Sequence, residues 1–404
     1  MKVIMIPSGF KECLDAEEVA VAMGAGAKTF EPFIQTEILP MIDGGEGFAK
    51  AIVKIKDGEL IHKTVTGPVW KKIDSHYGIF QEGETRTAVI EMAAVAGLKL
   101  VPKDLRNPLQ TTTYGVGELI LDALDKQVNK IIIGCGDSGT SDGGAGMAEA
   151  LGAVFLDEKQ HRIAIKSVTD LMKAISIDTS SLPDRLNDVS IDVACNWKNI
   201  LCGDRGVARV FGPQKGATAK QVDALSASLD HYATLIEEST GMVVRHAPGS
   251  GASGGLGAGL LAFTGARLHP RFDLIKNYIQ IEEKIADADL VITGEGSIDF
   301  QTPDGKIPCE VARIAKKYNI PVIAITGTIG RGAENNYKAG IDAYVSIIQY
   351  PVTLEKAISK APRWIKESVE CILRQITIGV TLADQRTSKE RIQPNGTTEP
   401  LQKK

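Results

Sequence analysis

The sequence predicts an α/β protein whose chain passes from one domain into another near residue 60. Three features carry this expectation. Short β-branched runs alternate with longer helical stripes over much of the chain. Between residues 60 and 93 the alternation stops, and three strand-like runs (60–65, 72–80 and 87–92) follow one another with no helix between them. From residue 288 a βαβ pattern returns. At 404 residues with 43% hydrophobic content, two ordinary domains can each fill a core.

Taken in order, residues 2–6 read as a strand. A helix follows from Asp15, which with Glu18 makes an acidic analogue of the capping box. Residues 36–39 are the next strand, with a helix from Glu46. After the three consecutive strands come a helix over 115–125, a strand at 130–133, a helix from Gly144 and a strand at 192–195. The helix from Thr218 carries the apolar stripe Val222, Leu225, Leu229, Tyr232 and Ile236. Strands at 290–293, 321–326 and 344–348 then alternate with a helix at 309–318. A last helix from Thr353 meets Pro362, which should kink or split it. Residues 387–404 are polar, and a disordered tail is expected from 377 onward.

Composition narrows the function classes. The formal charge of −4 is interspersed, so no basic footprint for nucleic acid exists. Residues 1–6 are too short an apolar run for a signal peptide. The most apolar helical stretch, 256–263, falls short of the roughly 20 residues that span a bilayer. Six scattered cysteines form no Cys-x-x-Cys pair and read as reduced, cytoplasmic thiols.

Forty-one glycines make up about a tenth of the chain, against a usual share of about 7%. They concentrate in five segments that join an apolar strand to glycines carrying an acid or a hydroxyl: 43–47, 134–144, 249–255, 293–299 and 326–330. Glycine lets backbone N–H groups approach phosphate oxygens, and a helix N-terminus favours an anion. Carboxylates in such loops would hold Mg²⁺ or take a proton from an attacking hydroxyl. Together the five point to a phosphorylated ligand.

Gly134/Gly136/Gly139 and Gly249/Gly251/Gly254 have dinucleotide-loop spacing, but Asp137 would repel a pyrophosphate. Gly136-Asp137-Ser138-Gly139 resembles the nucleophile motif of trypsin-like proteases, yet nothing else of that architecture is present. A P-loop and the protein-kinase catalytic-loop signature are both lacking.

Several ordered segments carry a family resemblance: Phe10-Lys11, Asp43-Gly44-Gly45-Glu46-Gly47, Val65-Thr66-Gly67-Pro68, Asp142-Gly143-Gly144-Ala145-Gly146-Met147, Phe211-Gly212-Pro213-Gln214-Lys215-Gly216 and Thr293-Gly294-Glu295-Gly296. From residue 1 to about 375 the chain resembles the bacterial glycerate kinases, which include glycerate 2-kinases. The resemblance implies a flavodoxin-like parallel-sheet domain from residues 1–65 and 285–376. A second, restriction-enzyme-like α/β domain (66–284) would be inserted, with the active site in the cleft. It implies phosphorylation of D-glycerate by ATP with Mg²⁺, 2-phosphoglycerate being the favoured product. The oligomeric state stays open, a homodimer being one option.

The same resemblance suggests roles. Asp142 would be the base or the group that orients the attacking hydroxyl, with Lys11, Asp43 and Asp299 as further catalytic residues. Glu46, Ser138, Thr140, Lys215, Gly251, Gly254, Glu295 and Lys306 would bind substrate or nucleotide, and Asp43 and Glu295 would hold the metal. Glu91, at a strand-to-helix junction, reads equally as a helix cap. Four positions depart from the family pattern. Ser8 stands where the family has an acid, Asp137 where it has Gly, Asn196 where it has Asp, and Ser297 where it has Arg. Two other readings follow: a kinase for another small hydroxy-acid or polyol, and a relative that binds ligand with little turnover.

Overall fold

The computed structural model describes residues 1–10, 13–30, 34–41, 44–303 and 305–392. Among these residues the strands, in chain order, are β1 (Lys2–Pro7), β2 (Gln35–Ile38), β3 (Glu59–Thr66), β4 (Lys72–Glu82), β5 (Thr85–Glu91), β6 (Lys130–Gly134), β7 (Val154–Leu156), β8 (Arg162–Ile163), β9 (Ser176–Asp178), β10 (Ser190–Cys195), β11 (Arg267–Pro270), β12 (Leu290–Ile298), β13 (Val322–Ile329) and β14 (Ala343–Ser346). The chain forms two compact units, Met1–Met41 with Glu282–Lys404, and Ile42–Ile281.

The first unit is a five-stranded sheet in the order β14-β13-β12-β1-β2, and each pairing is parallel. Counted within the unit, this is the order 2-1-3-4-5 of flavodoxin-like sheets. Val3, Met5, Ile292 and Ile325 are fully buried, with Val19 and Met23 of the helix Ala16–Ala27 in the same cluster. The capping box expected at that helix is present: Glu18 N–H donates to Asp15, and Asp15 N–H to Glu18.

The last helix runs Leu354–Ile392 and continues through Pro362. Trp364, Ile365, Val369 and Leu373 are buried in the core of the unit, and that burial outweighs the roughly 3 kcal/mol that an internal proline costs a helix. Where a tail was expected from 377, the chain is helical to Ile392. Residues 393–404 lie outside the described residues.

The second unit carries a six-stranded sheet in the order β11-β10-β6-β5-β4-β3 and a three-stranded sheet, β8-β7-β9. β3, β4 and β5 are antiparallel, matching the run of strands without helices, while β5, β6, β10 and β11 are parallel. The unit begins at residue 42 rather than near 65. The reason is pairing: β3 bonds β4 from Glu59↔Ile79 to Thr66↔Lys72. The preceding helix Phe48–Ile55 also packs on β4, so closely that a Cβ on Gly78 would lie 2.2 Å from Val53 Cγ2. All six cysteines are free thiols. No described helix is long and apolar enough to cross a membrane.

Candidate active site

In the second unit, β6 ends at Gly134 and the chain loops to the helix Ala145–Leu151. Asp142, just before that helix, is 2% exposed. One carboxylate oxygen accepts from Thr113 N–H (2.8 Å), Thr113 Oγ1–H (2.9 Å) and Gly146 N–H (3.2 Å), and the other from Gly144 N–H (3.2 Å). Burial raises its pKa while the four donors oppose that rise. Asp142 thus caps the helix from inside and ties it to Thr113. With both oxygens engaged and the residue enclosed, of the two roles expected for it the geometry favours positioning over that of base.

Lys215 ends the short turn Pro213–Lys215 and is 3% exposed. Its Nζ lies 2.8 Å from Ser138 Oγ and 2.5 Å from Thr140 O. Burial pulls its pKa down to about 7, against the opposing charge of Asp142. In the same loops and the helix packed on them, Thr140 Oγ1, Ser141 Oγ and Tyr232 OH are buried with no hydrogen-bond partner among the described residues, and Ser253 Oγ lies beside the Cys135 thiol.

Ser253 adopts left-handed backbone angles (φ 52°, ψ 46°), as do Gly254 and Gly255 after it, which is uncommon for a residue with a side chain. A Cβ on Gly254 would sit 1.9 Å from Thr140 O, so the two glycine-rich loops meet backbone to backbone. Gly251 packs against the backbone of Ile200 and donates its N–H to Asn199 O. Of the expected residues, Asp142, Ser138, Thr140, Lys215 and Gly254 therefore converge. Tyr232, Ser253 and Thr113 join them. Tyr232 was legible only as part of an apolar stripe, and Ser253 only as a hydroxyl inside a flagged loop.

The 43–47 segment is different. The N–H groups of Gly47 and Ala49, which open the helix Phe48–Ile55, donate to Glu91 at 2.9 and 3.1 Å. Glu91 is 3% exposed, and burial raises its pKa. Glu46 donates its N–H to Asp137 and pairs with Lys99 through its carboxylate. The protein's own acid occupies this helix N-terminus, so it offers no open cradle for phosphate.

In the first unit, the 293–299 and 326–330 segments are mostly strand rather than loop: β12 pairs with β13 from Val291↔Val322 to Ile298↔Ile329. Lys306 stands between Glu295 (3.7 Å) and Asp299 (3.5 Å) and also donates to Ser297 O (3.3 Å). The buried Thr302 fixes the turn by accepting from Asp299 N–H. These three charged residues lie at the carboxyl end of β12, beside β1. There the order of the sheet reverses, the place where open α/β sheets bind ligands. Lys11 and Asp43 lie outside the described residues.

Among known proteins, the sequence profile described as the glycerate kinase family matches residues 3–377. The chain belongs to the glycerate kinase family. A glycerate kinase from Bacillus subtilis is 44% identical over 382 residues, 95% of this chain and 99% of that one. The glycerate 2-kinase of Escherichia coli is 43% identical over 380 residues, 94% and 99% of the two chains. A crystal structure from Salmonella typhimurium LT2, described as a candidate glycerate kinase 2, matches with a TM-score of 0.79 at 42% identity, covering 95% of this chain and 100% of that one.

Within this glycerate kinase family member, three of the four positions expected to depart from the family pattern make local hydrogen bonds. Ser8 Oγ donates to Gly294 O across the sheet (2.9 Å), Asp137 receives Glu46 N–H, and Asn196 receives Lys198 N–H. Ser297 sits in β12 opposite Thr328. No group of three or more His, Cys, Asp or Glu among the described residues could hold a metal by itself. Mg²⁺ carried by nucleotide phosphates needs only one or two protein carboxylates, and the hard oxygen donors Glu295 and Asp299 fit that demand.

Proposed function

We propose that the chain transfers the γ-phosphate of ATP to D-glycerate, giving 2-phosphoglycerate, with Mg²⁺ accompanying the nucleotide. The end-to-end likeness to glycerate kinases carries this reading, since it takes in both units. Glu295 and Asp299 would supply carboxylate oxygens to Mg²⁺, which on binding offsets phosphate charge, and Lys306 would attract the phosphates. An open groove of about 450 Å³ beside Asp299, lined by Phe300, Arg331, Gly332, Glu334 and Asn335, offers an exposed ring and a guanidinium to a nucleoside. Lys215, Ser138 and Thr140 would serve the hydroxy-acid. Lys11 and Asp43 keep their proposed catalytic roles. Six free thiols suit the reducing cytoplasm.

A second reading, another hydroxy-acid as acceptor, is favoured by Ser297, because the Arg it replaces is the natural bidentate partner of a carboxylate. One experiment separates the two. Incubation with ATP, Mg²⁺ and D-glycerate is followed by ³¹P NMR, with L-glycerate, erythronate, tartronate and glycerol in parallel. The expected product shows a phosphomonoester split into a doublet by the single proton on C2. A triplet would mean the 3-phosphate. Product from another acid alone would move the assignment to that acid, and no product from any would sink the kinase reading.

A further inference from the structure

We infer that Ser138 and Lys215 form the proton-accepting pair of the phosphoryl transfer, Ser138 touching the acceptor hydroxyl and Lys215 taking the proton behind it. The inference rests on the proposed kinase reading and gives that reading its base.

Two geometric facts carry it. The first is that Lys215 is almost wholly enclosed and has no carboxylate within ion-pair distance among the described residues. Its partners are a hydroxyl, Ser138 Oγ at 2.8 Å, and a carbonyl, Thr140 O at 2.5 Å. An ammonium enclosed in this way has lost its water without gaining a counter-ion, and the cheaper state is the neutral amine. A neutral amine has two N–H groups and a lone pair. Thr140 O takes one N–H, and the lone pair can receive the Ser138 hydroxyl. The second fact is exposure: Ser138 is only half-buried while Lys215 is closed off. Ser138 is therefore the member of the pair that a ligand can reach.

The charged and titratable groups around the pair agree. Asp142 is the acid whose charge is felt at Lys215, but four donors hold its oxygens. Tyr232, on the helix Ala219–Thr240, also faces Asp142. Arg106 lies against Gly216 through its backbone carbonyl, and Asp137 is turned to Glu46 N–H. Burial sets the Lys215 pKa at about 7, close to the optimum for a base working near neutrality.

In the step itself, the glycerate hydroxyl oxygen bonds to Pγ as the bond from Pγ to the β,γ-bridging oxygen breaks and ADP leaves. The hydroxyl proton passes to Ser138 Oγ, whose own proton passes to Lys215 Nζ. The ammonium so formed returns its proton to water before the next turnover.

The test uses the full chain. With ¹⁵N-labelled lysine, the Lys215 signal is assigned by its loss in Lys215→Arg and titrated without substrate. The expected midpoint is about 7, and a midpoint above about 9, near the ordinary lysine value, overturns the inference. In kinetics, kcat/KM should rise with pH along a limb at the same midpoint. Ser138→Ala should lower kcat by about 10²–10⁴-fold with little change in the KM for glycerate, while Lys215 still titrates as before.

Lys215→Arg keeps a cation and loses the lone pair. A phosphate clamp would tolerate it and a base would not, so wild-type kcat in this variant also overturns the inference. Lys215→Ala should lose the limb and regain rate with small primary amines in order of their basicity. If the wild type phosphorylates nothing, the kinase reading falls and the acceptor role with it, and the titration still reports whether the amine is neutral.

Discussion

At Asp142, four donors meet two oxygens in a residue that is 2% exposed, and this fixes what the side chain can do. Asp142→Asn puts an amide NH₂ where one acceptor oxygen stood, so at least one buried N–H or O–H loses its partner. A stability loss of about 1–3 kcal/mol is expected in chemical denaturation. The same change tests the electrostatics of Lys215. Asp142's negative charge favours the protonated amine and so raises the Lys215 pKa. Removing it should lower that pKa further and move the acid limb of kcat/KM to lower pH. An unmoved limb would mean that Asp142 carries no charge felt at Lys215. The resemblance offers Asp142 as base or as orienting group, and the sequence around it shows only the acid and the glycines beside it. It does not reveal that Thr113, twenty-nine residues earlier, reaches the same carboxylate.

The glycine-rich segments show at the scale of elements what was legible and what was not. Four of the five follow runs read as strands (36–39, 130–133, 290–293 and 321–326), and the alternation that placed those strands is local, so it survives in the sequence; 249–255 instead follows the helix read from Thr218. Their common grammar did not survive folding. Helices begin at three of them, Phe48–Ile55, Ala145–Leu151 and Ala252–Thr264, and at the first two a carboxylate of the protein, Glu91 or Asp142, accepts the first helical N–H groups. Two others are largely strand because β13 pairs with the glycines of β12, a long-range fact invisible to a window of ten residues. The 249–255 loop turns left-handed over three successive residues, Ser253 to Gly255, and meets the 134–144 loop. Gly254→Ala should therefore be severe. Its Cβ would collide with Thr140 O at 1.9 Å, and its φ of 72° disfavours any side chain. We expect a lower Tm together with loss of turnover. Gly241→Ala makes a control, since its φ is also 72° but its Cβ would meet nothing within 4 Å. If both variants lose equally little, the contact of the two loops is unimportant.

For the molecule as a whole, the decisive feature is that one unit is continuous and the other is not. Both ends of the chain build the flavodoxin-ordered sheet, whose β1 lies beside β12, so that unit cannot close until residue 290 and beyond have been made. The unit Ile42–Ile281 needs no such closure. It holds its two sheets and two buried clusters, one around Ile131, Ile133 and Leu119 and one around Phe155, Leu229 and Tyr232. It is also long enough to bury most of its apolar surface on its own. Residues 42–281 expressed alone should therefore fold and melt in one cooperative transition, followed by circular dichroism and calorimetry. Ser138, Thr140, Asp142, Lys215 and Tyr232 all lie in this stretch, so the depressed Lys215 titration should persist in it. Glu295, Asp299 and Lys306 lie outside it, so ATP turnover should vanish. A fragment that folds but titrates Lys215 near the ordinary lysine value would show that the neutral amine depends on the rest of the chain. A fragment that melts without cooperativity would show that the inserted unit draws its stability from the residues on either side of it.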